Sequence, residues 1–239
     1  MKIKVNLHFH TKDDIEDKEK AAMVADYDLF QGLDEAKKLG FDAIAVTCHD
    51  FVTDDPKYYE YAERIGINLI RGVEKTIEEK HVVILNADKS AEKIKTFDDL
   101  RAYRKEHAES FLLAPHPFFN GGVSLGSKLK EHADLFDAIE YSWFHFKFLN
   151  LNGEACLFAG KRGLPLLATS DTHYFEQLNA SYLIAEAHDN SFASIRDAIR
   201  AGKFQNISPD VKFWNTGTWR IICKTLESFL KGRGKKSLS

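Results

Sequence analysis

The sequence contains little of what stabilises small secreted or fibrous proteins. Of its 239 residues only three are cysteines, Cys48, Cys156 and Cys223. An odd number of widely spaced thiols argues against a disulfide framework and fits an intracellular protein. Only five residues are prolines, and a hydrophobic content of 44% with 29% charged residues excludes a collagenous or disordered chain. This length predicts one main domain around a single core.

Long apolar runs are absent as well. No run approaches the roughly 20 residues that a membrane-spanning helix needs. The N-terminal stretch MKIKVNLHFH carries histidines and charge where a signal peptide would have its apolar region. We therefore expect a cytoplasmic protein with no membrane partner. The formal net charge of −3 gives no general reason to expect nucleic-acid binding. No GxGxxG or GxxxxGK[ST] string follows a predicted strand, which disfavours dinucleotide and P-loop folds.

Short apolar strands alternate with helical patterns along most of the chain. Residues 2–10 have apolar side chains at the odd positions, with His8 and His10 on the opposite face. Further strands are predicted at 41–50, 67–74, 81–86, 111–117, 137–141, 164–173 and 181–187, and helices at 29–39, 56–65, 96–107, 152–162 and 191–201. This alternation predicts parallel pairing in an α/β barrel over residues 1–207. An extension at 208–239 ends in the basic tail KGRGKKSLS.

Residues that bind divalent metals lie at the predicted ends of these strands. In a parallel α/β barrel the active site forms at the C-terminal ends of the strands, where the βα loops converge. Imidazole and carboxylate groups ligate zinc, manganese and iron. In an extended chain residues i and i+2 point the same way, so HxH and DxH each deliver two ligands to one side. The residues concerned are His8, His10, His49, Glu74, His116, Asp171 and His173.

Each of these residues also has an ordinary structural explanation. A lone HxH pair is more often hydrogen bonded than metal bound, and His116 between two prolines fits a turn. Glu74 can pair with Lys75 or Arg71 as a surface charge. Recurrence at five separate strand ends favours a metal cluster, because burying so many titratable groups together without a cation is costly.

Five short motifs, taken in order, resemble the signature of the PHP superfamily (polymerase and histidinol phosphatase). They are HFHT at 8–11, TCHD at 47–50, GVE at 72–74, APHP at 114–117 and SDTH at 170–173, and they are specific as a set. The resemblance covers about residues 3–207 and implies a distorted (β/α)7 barrel of the PHP type. It also implies two or three divalent metal ions as cofactors, namely zinc, manganese or iron.

The resemblance implies a ligand set for each ion. A first metal would bind His8, His10, Glu74 and Asp171, a second His49 and His173, and a third Glu74, His81 and His116. His81 rests on the family pattern alone, since it lies at the start of its predicted strand. The segment TKDDIEDKE departs from the family, which usually has an aspartate or histidine about five or six residues after HxH, often in an S-D-G string. Asp17 is the expected remaining ligand of the second metal, with Asp13 or Asp14 as alternatives.

Because characterised PHP proteins are mostly phosphoesterases, the resemblance implies an enzyme that hydrolyses phosphoric esters. Its substrate would be a small phosphomonoester or a nucleotide, attacked by a metal-activated water, with Glu74 and Asp171 as catalytic carboxylates. The loops 118–130 and 142–152 are expected to line the mouth of the site. Nothing in the sequence supports a nucleic-acid partner.

Two alternatives remain open. An amidohydrolase-type hydrolase also begins with HxH on a barrel strand, although the sequence shows no obvious bridging lysine at a central strand end. The other alternative is a catalytically inert PHP module whose ions only stabilise the fold.

Overall fold

The structure, a computed structural model, describes residues 1–12, 14, 25, 27–119 and 122–211. Two of the three candidate ligands after HFHT, Asp13 and Asp17, lie outside the described residues, and so does the basic tail. The boundary at residue 207 therefore stays a prediction. No helix in the described part of the chain is long and apolar enough to cross a membrane.

The described residues form eleven strands and seven α-helices. The strands are β1 Lys2–Phe9, β2 Ala43–Val46, β3 Asn68–Ile77, β4 Lys80–Leu85, β5 Phe111–Ala114, β6 Ala138–Ser142, β7 His145–Phe146, β8 Leu149–Asn150, β9 Leu166–Thr169, β10 Tyr182–Glu186 and β11 Phe204–Ile207. The helices are α1 Leu29–Lys38, α2 Pro56–Ile65, α3 Phe97–Glu106, α4 Ser127–Glu131, α5 Gly153–Arg162, α6 Phe175–Leu178 and α7 Phe192–Arg200. Each predicted element is present within a few residues of its predicted bounds. The sequence pattern misses the hairpin β7–β8, strand β11 and the short helices α4 and α6.

Local sequence explains where the helices begin and end. Helix α3 follows Thr96, whose side chain accepts a hydrogen bond from the backbone N–H of Asp99, while the Asp99 side chain accepts from the N–H of Thr96. Two otherwise unpaired N–H groups are satisfied in this way. Helix α2 starts with Pro56 and ends at Gly66, whose φ of 75° is a left-handed conformation that glycine adopts without strain. These boundaries fix where each helix returns the chain to the sheet.

Nine of the described strands form one mixed sheet that curls into a nearly closed barrel. Their order is β11-β10-β1-β2-β3-β4-β5-β6-β9. The ends of the sheet approach where Phe9 forms a bridge with Thr172, just after β9. The side-chain amide of Asn206 in β11 also accepts from the N–H of Ala168 and donates to the carbonyl of Leu166, each at 2.8 Å. The predicted distorted α/β barrel is confirmed, whereas the count of seven β/α units is not.

Strand β4 breaks the parallel arrangement that the alternation predicts. It runs antiparallel to both β3 and β5, and β10 runs antiparallel to β1. Parallel pairing throughout is therefore wrong, because Glu78 and Glu79 form a two-residue turn with positive φ at both positions, which reverses the chain at once. His81 consequently lies opposite Thr76, at the same end of the barrel as the C-terminal ends of the parallel strands.

A β-bulge in β1 determines which side chains face the barrel interior. The register with β2 shifts between Asn6 and Phe9, and a bulge of this kind inserts one extra residue into a strand. Ile3, Val5 and Leu7 pack in the barrel interior, but Phe9 packs outside it under α1. The prediction that the odd positions share one face is thus wrong beyond the bulge. After the bulge the inward positions are the even ones, and they carry the two histidines.

An apolar cluster fills the half of the barrel at which the parallel strands begin, and α7 closes that end. Ile195 and Ile199 of α7 pack into the same cluster as side chains from most strands of the barrel. The start of α7 lies near the start of β3, where the Asn68 side chain donates to the carbonyl of Asn190 at 2.7 Å. Because this end is closed by packed apolar groups, the polar strand ends meet at the opposite end.

Replacement of Gly32 in α1 tests the packing beneath the histidine strand. A Cβ at Gly32 would lie 2.5 Å from Cζ of the Phe9 ring and 3.3 Å from the ring of Tyr27, so the buried Phe9 ring must move. Overpacking costs roughly 1–3 kcal/mol and helix propensity returns at most about 1 kcal/mol. We expect Gly32→Ala to lower the free energy of unfolding by about 1–2 kcal/mol, measured by urea denaturation.

Gly160 in the last turn of α5 provides the control. A Cβ there meets nothing within 4 Å. Gly160→Ala should therefore raise the free energy of unfolding by up to about 1 kcal/mol through helix propensity alone. Equal effects at the two glycines would contradict the packing explanation.

Candidate metal centre

Histidines and carboxylates from six strands or strand ends meet at the open end of the barrel. The group contains every described residue that the sequence suggests as a ligand at a strand end, together with His81: His8, His10, His49, Glu74, His81, His116, Asp171 and His173. Four of these residues are buried, namely His8, His10, Glu74 and His173, and the other four are partly buried. The chain thus brings to one place residues that are up to 165 positions apart in sequence.

The carboxylate of Glu74 is the centre of the cluster. Its residue is 1% exposed. Oε2 lies 3.3 Å from Nε2 of His8, 3.3 Å from Nε2 of His10 and 3.1 Å from Nε2 of His49. A backbone bridge between His49 and Glu74 extends the β2–β3 pairing to this level. Three imidazoles from two strands therefore point at one oxygen.

The second oxygen of Glu74 faces the other side of the barrel. Oε1 lies 2.9 Å from Nδ1 of His81 and 3.2 Å from Nε2 of His116. The antiparallel direction of β4 brings His81 here, which explains why a residue at the start of a strand joins residues at the ends of others. One carboxylate thus contacts five imidazoles, and each of its oxygens faces a separate group.

Asp171 and His173 complete the cluster from the loop after β9. Asp171 Oδ1 lies 3.5 Å from Nε2 of His8 and 3.3 Å from Nε2 of His10. The ring of His173 stacks on that of His10 with centroids 4.2 Å apart. Asp171 and His116 both have positive φ, 45° and 30°. Such conformations cost of order 1–3 kcal/mol in non-glycine residues and gather at functional sites.

The cluster contains buried polar atoms that no hydrogen bond satisfies. They are Nε2 of His8, Nε2 of His10 and Oδ1 of Asp171, and all three face the same space. Buried polar atoms normally have partners, and an unpartnered group requires a specific explanation such as an ion. A divalent cation is the partner that imidazole nitrogen and carboxylate oxygen share. The residues present therefore fit the metal ions that the sequence suggests.

Three overlapping groups of ligand atoms lie within 4.8 Å of one another. They are His8, His10, Glu74 and Asp171; His10, His49 and His173; and His49, Glu74 and His81. The first is the ligand set expected for the first metal. The second contains both residues expected for the second metal and adds His10. In the third, His49 accompanies the expected pair Glu74 and His81, while His116 approaches the same oxygen of Glu74 as His81, at 3.2 Å.

Asp14, one of the alternatives for the second metal, supports two histidines. Its Oδ2 lies 3.1 Å from Nδ1 of His10 and 2.8 Å from Nδ1 of His49, and its Oδ1 accepts from the backbone N–H of His49 at 2.9 Å. These contacts use the ring nitrogens that face away from Glu74. Asp14 therefore orients the Nε2 atoms of both rings toward the cluster. Asp17, the preferred residue of the sequence prediction, lies outside the described residues.

The pKa shifts in the cluster show that its buried carboxylates favour positive charge on their neighbours. Burial alone would lower the pKa of His8, but Asp171 and Glu74 raise it to about 10. Burial is likewise outweighed at His49, where Glu74 raises the pKa to about 9. The imidazoles in turn hold the pKa of Glu74 and Asp171 well below the usual range, against the effect of burial. Without metal, protons on histidines compensate the carboxylates.

His173 differs from its neighbours. Burial and the adjacent ring of His10 lower the pKa of His173 to about 3. Its ring is therefore neutral at physiological pH, which is the form that ligates a metal.

Metal binding should release protons and should tighten as pH rises. His8 and His49 have pKa values of about 10 and 9, so both are protonated at neutral pH, whereas ligation requires an unprotonated nitrogen. We expect proton release on zinc binding, and an apparent affinity that rises with pH until the pKa values of about 9 and 10 are passed. Titration calorimetry in two buffers of different ionisation enthalpy measures the protons released.

His188, whose side chain is 96% exposed, gives the control for this measurement. His188→Gln should release the same number of protons as the unmodified chain. Binding without proton release at neutral pH would show that the two histidines are not ligands.

Four other residues of reactive or cationic type are engaged outside the three ligand groups. The Lys75 ammonium pairs with Asp50 at 2.6 Å, and the Lys12 ammonium pairs with Asp28 at 3.2 Å. Cys48 is buried with a raised pKa due to burial, as expected of a packing residue rather than a nucleophile. His145 in the loop 142–152 uses both ring nitrogens to bind Ser208 and Asp210.

The string GVSLG at 122–126 formally matches the GxSxG motif of serine hydrolases. Such a serine lies on a sharp turn between a strand and a helix. Ser124 lies in the loop before α4, with no strand directly before it, and no described histidine bonds to its hydroxyl. A serine nucleophile is therefore not supported. The backbone carbonyl of Val123 in this loop instead accepts from the N–H of His81 at 2.9 Å.

Sequence reasoning misses Glu140 in β6. This carboxylate is 0% exposed and lies 2.9 Å from Nδ1 of His8. The signal that could have found it is a charged residue inside a short apolar strand, DAIEYS. A fully buried glutamate requires a partner.

Two family models match this chain, and together they cover most of the barrel. The model of the PHP domain matches residues 25–143, and the model of the PHP-associated domain matches residues 150–204. None of the curated proteins compared matches the chain.

Several solved structures share the fold. One is a two-domain protein from Bacteroides vulgatus containing a predicted PHP-like metal-dependent phosphoesterase, with TM-score 0.65, 21% identity, and coverage of 87% of this chain and 65% of that one. A second is PsfC from Pseudomonas syringae, with TM-score 0.60, 16% identity, and coverage of 95% and 98%. A third is the lesion-specific endonuclease PfuEndoQ from Pyrococcus furiosus, with TM-score 0.58, 17% identity, and coverage of 86% and 58%. The chain thus spans less than two thirds of the first and third of these proteins.

Proposed function

We propose that this chain, which belongs to the PHP superfamily of metal-dependent phosphoesterases, hydrolyses a small phosphomonoester or a nucleotide. The observation that carries the proposal is the contact of one buried carboxylate, Glu74, with five imidazoles. Beside it lie three buried atoms that lack a hydrogen-bond partner. Zinc, manganese or iron are the ions that such a donor set takes.

The residues of the cluster have distinct roles in this reaction. When bound, divalent ions in such a cluster stabilise charge on phosphate oxygens and lower the pKa of a water toward about 7. Glu74 and Asp171 would supply the negative charge that holds the ions. His10 faces both carboxylates and stacks on His173, so it links the first and second ligand groups. Lys12 and Lys75 form ion pairs with aspartates, so the charge of a bound phosphate would be compensated by the metal ions rather than by these lysines.

The geometry of the cluster argues against both alternatives, the amidohydrolase-type hydrolase and the inert module. In the described residues no lysine amine pairs with Glu74 or Asp171, whose ionic partners are all histidines, and Glu74 occupies the central position that a bridging group would take. This disfavours an amidohydrolase of the lysine-bridged type. A fold-stabilising role alone does not explain positive φ at both His116 and Asp171, since the strain costs stability.

The test combines elemental analysis with a substrate panel. Protein purified without chelator should contain about two or three equivalents of zinc, manganese or iron. With Mn²⁺ added, it should release inorganic phosphate from at least one phosphomonoester or nucleotide. The release should stop with chelator and resume when metal is restored.

The same panel includes esters and amides without phosphorus. Turnover of these compounds alone would support the amidohydrolase alternative. Full metal content with no turnover of any substrate would support the inert module.

A further inference from the structure

The carboxylate of Glu140 is buried in the barrel wall and belongs to none of the three ligand groups. It lies in β6, between β5 and β9, and is 0% exposed. Burying a carboxylate is costly unless its oxygens are hydrogen bonded. In the described part of the chain its partners are two donors only, the ring of His8 and the backbone of His116.

The first partner is a ring nitrogen of His8. Glu140 Oε2 lies 2.9 Å from Nδ1, whereas Nε2 on the other side of the ring faces Glu74 and Asp171. An ionised carboxylate accepts hydrogen bonds but does not donate them, so the proton of a neutral His8 must lie on Nδ1. The lone pair is then on Nε2, the atom that is buried without a hydrogen-bond partner. Glu140 thus selects the ring form in which His8 can bind a metal.

The second partner is the backbone of His116. Glu140 Oε1 accepts from the N–H of His116 at 3.2 Å. His116 has φ of 30°, and this unfavourable backbone turn aims its Nε2 at Glu74 Oε1. A strained conformation persists only where its surroundings hold it. The same carboxylate therefore helps to fix a second ligand, which comes from a different strand and contacts the other oxygen of Glu74.

We propose that Glu140 is a positioning residue that orders the metal centre by holding His8 in its ligating tautomer and His116 in its strained turn. This inference rests on the proposed metal-dependent function. Hydrogen-bond partners behind metal ligands typically change metal affinity or activity 10- to 100-fold when they are mutated. Asp14 supports His10 and His49 in a comparable way, but it belongs to a segment that the sequence already suggests, whereas Glu140 lies outside the five motifs that resemble the family.

The test is Glu140→Gln, which keeps the size and shape of the side chain. Glutamine has one acceptor oxygen, so its amide NH₂ must face either His8 Nδ1 or the His116 N–H. If it faces His8, the ring proton moves to Nε2 and blocks ligation. If it faces His116, the strained turn loses its acceptor. We expect metal affinity to fall about 10- to 100-fold by titration calorimetry.

Two further measurements separate positioning from packing. Long-range ¹H–¹⁵N spectra of the zinc-loaded protein should show the His8 proton on Nδ1, and this signal should be lost or altered in Glu140→Gln. Glu186→Gln, at an exposed glutamate of β10, is the matched control and should leave affinity and spectrum unchanged. Wild-type affinity and an unchanged His8 tautomer in Glu140→Gln would overturn the proposal.

The outcomes also separate this inference from the proposed function. If the unmodified chain binds metal but hydrolyses no phosphoester, the phosphoesterase proposal fails while the affinity and tautomer measurements still decide the role of Glu140. If Glu140→Gln does not fold, Glu140→Asp replaces it. That variant keeps the charge but shortens the reach by one carbon–carbon bond, and it should lose affinity in the same direction.

Discussion

Glu74→Gln should reduce kcat/KM for phosphoester hydrolysis by roughly 10³-fold or more, which corresponds to about 4 kcal/mol of transition-state stabilisation. The substitution keeps the shape of the side chain and removes the charge that faces five imidazoles. The NH₂ group of glutamine donates hydrogen bonds and cannot ligate a cation, so one of the two ligand positions is lost. Steady-state kinetics and metal content measured on the same samples should fall together.

The control for this variant is Glu78→Gln in the turn between β3 and β4. Glu78 lies four residues further along the same strand and turn, and it pairs with Lys128 at 2.9 Å on the surface. Surface ion pairs contribute about 0–1 kcal/mol, so activity and metal content should remain near those of the unmodified chain. Full activity in Glu74→Gln would show that the cluster is not the catalytic centre.

Phe111→Ala should lower the free energy of unfolding by about 3–5 kcal/mol. The ring of Phe111 is buried at the start of β5, within the apolar cluster that α7 closes. Its loss leaves a cavity that the surrounding strands cannot fill, because they are held by a nearly closed barrel. Urea denaturation followed by tryptophan fluorescence and by circular dichroism measures the change.

Phe148→Ala provides the comparison on the surface. Phe148 is 78% exposed in the turn between β7 and β8, and its truncation should change stability by no more than about 0.5 kcal/mol. A loss at Phe111 as small as that at Phe148 would mean that the interior cluster contributes little to folding.

The sequence predicts most of the elements and the composition of the site for physical reasons. Apolar periodicity distinguishes helices from strands, and Thr96 with Asp99 marks the start of α3 because the capping hydrogen bonds are local. The grouping of His8, Glu74 and Asp171 follows from the convergence of strand ends in a barrel. These features depend on near neighbours or on a general rule of architecture.

What the sequence pattern misses depends on contacts between distant segments. The direction of β4 depends on the turn at Glu78 and Glu79. Both residues have positive φ, but neither is a glycine or an asparagine, the residues from which such a turn is predicted. The bulge in β1 becomes visible only when β2 is placed beside it. Glu140, 132 residues from His8 in sequence, is recognisable as its partner only once closure of the barrel places β6 near β1.

The bulge between Asn6 and Phe9 determines whether the HxH histidines of a related sequence would face the barrel interior. Because side chains alternate along a strand, a regular strand of the same length would turn both imidazoles outward, and the surplus residue reverses the alternation just before them. A relative with an intact HxH motif in a regular strand would therefore keep the pocket only if one residue fewer separated the motif from the inward apolar residues, a difference that a motif search does not report. In this barrel the count of residues before the histidines matters as much as the histidines themselves.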